Sequence, residues 1–142
     1  MPGILWDIFW LNRGLLNIIT KLAADTILSF AKSKKLTVGI FTALHTFGQD
    51  LKKNVHVHLS TTRTGLTEDL KKLKHIFFPY QKIMYDWKKS FLSLLSELYN
   101  SKELILPKAI RDDINPTHTF DDFLYHLCLL RILRKSLLDV YF

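Results

Sequence analysis

The chain has 142 residues, with 20 Lys and Arg against 13 Asp and Glu, for a net charge of +7. That length is enough for one domain with a real core, and a composition of 48% hydrophobic and 23% charged residues excludes an intrinsically disordered chain. A single cysteine, Cys128, excludes an internal disulfide or a Cys-rich zinc module and fits a reducing compartment, so the expected location is cytoplasmic.

In chain order, Ile4 to Ala31 reads as one long amphipathic helix extending to residue 35, with Ile8, Leu11, Leu15, Ile18 and Leu22 as its apolar stripe. Lys32, Lys34 and Lys35 favour the negative end of its dipole, and Gly14 is a mild internal weakness. Asp7, Asn12, Arg13, Lys21 and Asp25 interrupt the apolar run, so no membrane-spanning stretch of about 18 residues forms. Asp7 also stands where a signal peptide would be basic, and a soluble chain is expected.

The periodicity then changes. Val38 to Phe47 is β-branched and aromatic and reads as a strand, Gly48 to Asn54 as a loop, and Val55 to Thr61 as a strand with strict alternation. Val55, Val57 and Leu59 fall on one face, and His56, His58 and Ser60 on the other. The two strands are expected to form an antiparallel hairpin within residues 38–66, with Thr64-Gly65 as the next turn. After a basic connector (Lys71, Lys72, Lys74), Pro79 opens a helix to residue 99, seamed by Tyr80, Met84, Trp87, Phe91, Leu94 and Leu98. Pro107 and Pro116 bound a loop. A last helix over 119–138 starts at a Thr119/Asp122 capping box.

The expected class is α+β, an antiparallel sheet fragment flanked by long amphipathic helices. A lone hairpin leaves two open edges, which points to absent neighbouring strands and a truncated domain.

His56-Val57-His58 is the chemical centre. Residues i and i+2 of a strand share a face, so both imidazoles can converge on one ion. Imidazole suits manganese, zinc and other transition ions, whereas magnesium prefers oxygen ligands. Six histidines in 142 residues give about 0.25 such spacings by chance, so the spacing alone decides little, and a solvated pair on an exposed sheet face is the competing reading.

The stretch FTALHTFGQDLKKNVHVHLSTTRTGL, residues 41–66, resembles the core motif of the bacterial rolling-circle, HUH-type insertion-sequence transposases. The matching positions are Phe41-Thr42, His45-Thr46-Phe47-Gly48-Gln49, a polar loop, and His56-Val57-His58. LWDIFWLNRGLLNIITKLAADTILSFAK before it and FFPYQKIMYDWKKSFLSLL after it are similar to the helices that flank the motif in that family, so the resemblance covers residues 4 to about 127.

The resemblance implies DNA transposition by nicking of single-stranded DNA at transposon ends. It assigns His56 and His58 to a divalent metal ion, Mg2+ or Mn2+, that orients the scissile phosphate while a tyrosine attacks. A third ligand is usual, and His45 and Gln49 are the candidates. Pairing Phe47 with Val55 would put His45 opposite Val57, on the wrong face; a one-residue slip would bring it beside His58. His45 can equally be a core histidine, and Gln49 a loop residue.

Two features depart from the family. Its nucleophiles form a tyrosine-x-x-x-tyrosine pair, but no two of Tyr80, Tyr85, Tyr99, Tyr125 and Tyr141 are four apart, and the default reading of Tyr80 and Tyr85, on the helix after the hairpin, is packing. From Cys128 onward, CLLRILRKSLLDVYF no longer resembles the family, which fits a frameshift or premature stop. The family's N-terminal Cys-rich zinc module has no counterpart. No catalytic nucleophile is assigned, and the fragment is expected to be inactive alone.

Lys52, Lys53 and Arg63 flank the hairpin, and Lys71, Lys72 and Lys74 follow it, as candidate contacts to DNA phosphates. The alternative to a catalytic fragment is a non-catalytic basic DNA-binding remnant. Membrane-surface binding through the first helix is disfavoured, because its polar face is mixed in sign.

Overall fold

The computed structural model describes residues 3–47, 53–129 and 138–141. The first apolar stretch is two helices, α1 (Gly3–Leu11) and α2 (Leu15–Ser33), bent by 115°. This corrects the single helix expected over 4–35. The cause is Asn12. Its Nδ2 donates to the Ile8 carbonyl at 2.8 Å and to the Ile105 carbonyl at 2.7 Å, while its Oδ1 accepts from the Ile105 N–H at 2.8 Å. The side chain thus satisfies the end of α1 and ties the bend to a segment 93 residues away.

The bend also changes which side of α2 is buried. Leu15, Leu16, Ile19, Ala23, Ile27 and Ala31 face the core, whereas Leu11 and Ile18 of the expected stripe are 44% and 40% exposed. Among the described residues, no single helix is long and apolar enough to cross a membrane.

The strands are β1 (Leu36–Thr37), β2 (Ile40–Phe47), β3 (Lys53–Thr61), β4 (Thr64–Thr67) and β5 (Leu73–His75). They are followed by α3 (Tyr80–Asn100), α4 (Lys108–Asp113), α5 (Phe120–Leu129) and β6 (Leu138–Tyr141). The chain is α+β. Among the described residues two three-stranded sheets form, ordered β1-β4-β5 and β2-β3-β6. The hairpin is therefore not alone: β6 pairs with β3 in parallel and covers that edge, while β2 remains an edge strand. The helix expected through residue 138 ends at Leu129; residues 130–137 lie outside those described, and Leu138–Tyr141 is strand.

Thr64-Gly65 is not a turn but the start of β4. Gly65 lies close against β1: a Cβ there would sit 2.8 Å from Leu36 Cβ and 3.2 Å from the Thr37 carbonyl oxygen. Gly65→Ala is expected to destabilise the fold by about 1–3 kcal/mol through overpacking. A thermal or denaturant melt reads this directly, and an unchanged midpoint would show that the two strands do not pack so closely.

The helices cover one face of the hairpin. α1 and α2 lie against β3, α2 against α3, and α3 against α5. The buried residues of α3 are Ile83, Met84, Trp87, Phe91 and Leu95; Tyr80, expected in this seam, is 50% exposed.

The capping box of α5 forms. Asp122 Oδ2 accepts from the Thr119 N–H at 2.8 Å and from Thr119 Oγ1 at 2.7 Å, and Thr119 Oγ1 accepts from the Asp122 N–H at 3.2 Å. The side-chain and backbone bonds from Thr119 hold the Asp122 carboxyl below its usual range. The cap is accordingly complete at neutral pH and is lost as pH falls through that lowered value.

Candidate metal centre

β3 alternates as its sequence dictates. Val55, Val57 and Leu59 are 6%, 0% and 0% exposed against the helices, and His56, His58 and Ser60 occupy the opposite face. What remained open was the register of β2. The ladder runs Phe41↔Ser60, Thr42↔Leu59, Ala43↔His58, Leu44↔Val57 and His45↔His56, then shifts so that Phe47 meets Lys53. The irregularity between His45 and Phe47 places one extra residue on the β3 side, a β-bulge at the mouth of the hairpin. It offsets the register by one from the expected Phe47–Val55 pairing, so that His45 sits opposite His56 rather than Val57. Directly opposed residues share a face, and His45 therefore joins the pair.

The three rings form a compact cluster. Their centroids are 5.2 Å apart for His45 and His56, 4.3 Å for His45 and His58, and 4.6 Å for His56 and His58. One ring nitrogen from each lies within 4.8 Å of the others. Two imidazole nitrogens bound tetrahedrally to one ion at about 2.1 Å stand roughly 3.4 Å apart, so small side-chain rotations bring the set into coordination range. His45 is exposed, and His56 and His58 are half-buried, so water or a substrate oxygen can reach the centre of the cluster. The rings are tilted at 58–69° to one another and do not stack flat, which lets their edges converge.

The remaining candidates are not gathered there. Gln49 and Lys52 lie outside the described residues, and Lys53 opens β3 opposite Phe47. Arg63 is exposed beyond the far end of β3, about 17 Å of extended chain from His58. Lys71, Lys72 and Lys74 are exposed around the β4–β5 hairpin, in the other sheet, with Lys74 paired to Gly65. The expected basic residues thus occupy separate regions.

The tyrosines form no pair either. Tyr85 and Tyr125 are 67% and 62% exposed on different helices, Tyr99 stacks on Phe120 at 4.4 Å, and Tyr141 is in register beside Ser60. Phe41, a motif position to which the sequence assigned no role, is 68% exposed on the same sheet face as the histidines. Its signal was the shared parity of positions 41, 43 and 45, which needs the register to become legible.

Comparison with known families matches residues 39–127, more than half of the chain, to a family described as "Putative transposase". Among curated proteins, the chain is 50% identical over 68 residues to the Transposase for insertion sequence element IS801 of Pseudomonas savastanoi pv. phaseolicola. That match covers 48% of this chain and 17% of the relative, so the chain corresponds to a small part of that protein's length. No solved structure matches.

Proposed function

The chain belongs to the transposase family that its residues 39–127 match, and on that premise we propose that it forms the metal-holding core of a single-strand DNA nicking transposase. The observation that carries this reading is the convergence of His45, His56 and His58 on the open face of one hairpin.

In this reading His56 and His58 are the two ligands held rigidly by strand pairing, and His45 is the third. Three imidazoles favour Mn2+ or a similar transition ion over Mg2+, which would have to find its oxygen ligands elsewhere. An ion held there would polarise a non-bridging phosphate oxygen and offset the charge that builds as the phosphodiester is attacked. The imidazoles fix its position relative to the sheet, and the exposed side of the cluster leaves coordination positions for the phosphate.

The partner is single-stranded DNA at a transposon end, and a DNA partner places the work in the cytoplasm. Arg63, Lys71, Lys72 and Lys74, together with Lys52 and Lys53, supply phosphate contacts whose strength falls steeply with salt. Without a tyrosine-x-x-x-tyrosine pair beside the histidines, this chain alone binds metal and DNA but does not transfer strands.

The test is to incubate the purified chain with a labelled single-stranded oligonucleotide and Mn2+, then to measure binding by anisotropy and covalent attachment on a denaturing gel. Metal-enhanced binding without a covalent 5′ adduct is expected. Efficient adduct formation would overturn the proposed inactivity. Binding indifferent to Mn2+, to chelator and to His56→Ala with His58→Ala would favour a basic DNA-binding remnant without chemistry.

A further inference from the structure

The open face of the β2–β3 hairpin carries more than histidines. Along β2 the residues on this face are His45, Ala43 and Phe41; along β3 they are His56, His58 and Ser60. Phe41 is directly opposite Ser60 and diagonal to His58, a separation of about 7–8 Å between the two residues. Its ring is 68% exposed, although the opposite face of the hairpin packs against helices. The intervening residue of β2 on the same face, Ala43, is small.

An exposed phenylalanine on a sheet face contributes little to the fold and is an association hazard. Base stacking gives such a ring a use. An aromatic side chain on an open strand offers a π-face that accepts any base, which is how many proteins hold single strands with little regard to sequence.

We propose that Phe41 is a base-stacking platform: it holds the base of a nucleotide next to the phosphate that enters the histidine cluster. This rests on the reading of the histidine face as the DNA-facing side. The diagonal separation of Phe41 and His58 matches the reach from a phosphate across its own sugar to the base. Phe41 would thereby act as a positioning residue, setting which phosphate is presented, and would favour single strands, whose bases are free to unstack. The neutral ring adds no phosphate contact, so its contribution is separable from that of the lysines and arginines.

The experiment uses the full chain and two labelled probes of equal length and charge, an oligo-dT and an oligonucleotide of abasic sites, each with Mn2+ and with chelator. Phe41→Ala is expected to weaken binding of oligo-dT about 5- to 150-fold, while binding of the abasic probe is unchanged. Phe41→Trp should retain or strengthen the dT affinity. The exposure of Phe41 makes loss of folding an unsuitable explanation, and a circular dichroism melt of each variant checks this.

An equal loss on both probes, or no loss on either, overturns the proposal. So does a Phe41→Ala variant that changes only the oligomeric state, which would show that a second copy covers the ring. The chelator arm separates this proposal from the metal reading. A dT-selective loss that persists in chelator supports the platform even if Mn2+ proves irrelevant. Mn2+-enhanced binding that Phe41→Ala leaves untouched sinks the platform and keeps the metal.

Discussion

His58→Ala is expected to lower the affinity of the chain for Mn2+ by at least about 100-fold, measured by titration calorimetry. Removing a partner that merely orients a metal ligand costs 10- to 100-fold, and His58 is proposed as a ligand itself. It is also the member nearest to both others, at 4.3 Å from His45 and 4.6 Å from His56 between ring centroids. Its loss leaves two rings 5.2 Å apart and no third donor among the described residues to close the set.

His45→Ala should have a smaller effect, because His45 is the exposed member and stands on the edge strand. A second pair of histidines, outside the cluster, provides a control. His118 and His126 are 5.6 Å apart between ring centroids but have no third histidine beside them, so His118→Ala should leave Mn2+ binding unchanged. Binding to the folded state alone also raises stability by about 2.7 kcal/mol at a free ion concentration of 100 times Kd. The wild-type chain should therefore melt higher in Mn2+, and the His58→Ala chain should not. Equal affinities for the two proteins would remove the histidine cluster from the account.

Trp87→Ala is expected to cost about 3–5 kcal/mol, a large part of the 5–15 kcal/mol that holds a typical domain folded. Trp87 is 0% exposed at the middle of α3. Its ring lies parallel to Phe91 at 5.4 Å and 5°, and Phe91 in turn packs on Phe9 of α1 at 6.1 Å. The stack joins α3 to α1, and α1 lies against β3, the strand that carries His56 and His58. Loss of the indole thus opens a cavity in the core and weakens the link from α3 to the helix that backs β3.

The indole N–H of Trp87 is buried and has no hydrogen-bond partner among the described residues, so Trp87→Phe removes an unsatisfied donor while keeping an aromatic ring. Trp87→Phe should recover more than half of the loss caused by Trp87→Ala. Urea unfolding of the three proteins gives the comparison. A Trp87→Ala midpoint close to that of the wild type would show that the stack is not what fastens α1 to α3.

The parts of this fold that were legible in the sequence are those set by local rules. The period-two alternation of Val55 to Ser60 gave both the strand and the two sides of it, and the Thr119/Asp122 spacing gave the start of α5. Parts set by distant contacts were not legible. The bend after Leu11 depends on hydrogen bonds between Asn12 and Ile105, which no helical periodicity encodes. β1, β4 and β5 have two to four residues each, too short for alternation to appear.

The candidate site divides in the same way. His56 and His58 could be paired from spacing alone, whereas His45 depends on a bulge one residue wide. Its ring joins the cluster because β3 has one extra residue between the Phe47–Lys53 and His45–His56 pairs; without it His45 would face Val55. The bulge falls at the mouth of a polar loop, where neither strand's pattern fixes a register.

The most direct test of the central claim is a crystal of the chain soaked in Mn2+, with an anomalous difference map collected at the manganese edge. One strong peak is expected on the open face of the β2–β3 hairpin, about 2.2 Å from a nitrogen of each of His45, His56 and His58. A strong peak elsewhere, or none at this cluster in a chain that binds Mn2+ in solution, would contradict it.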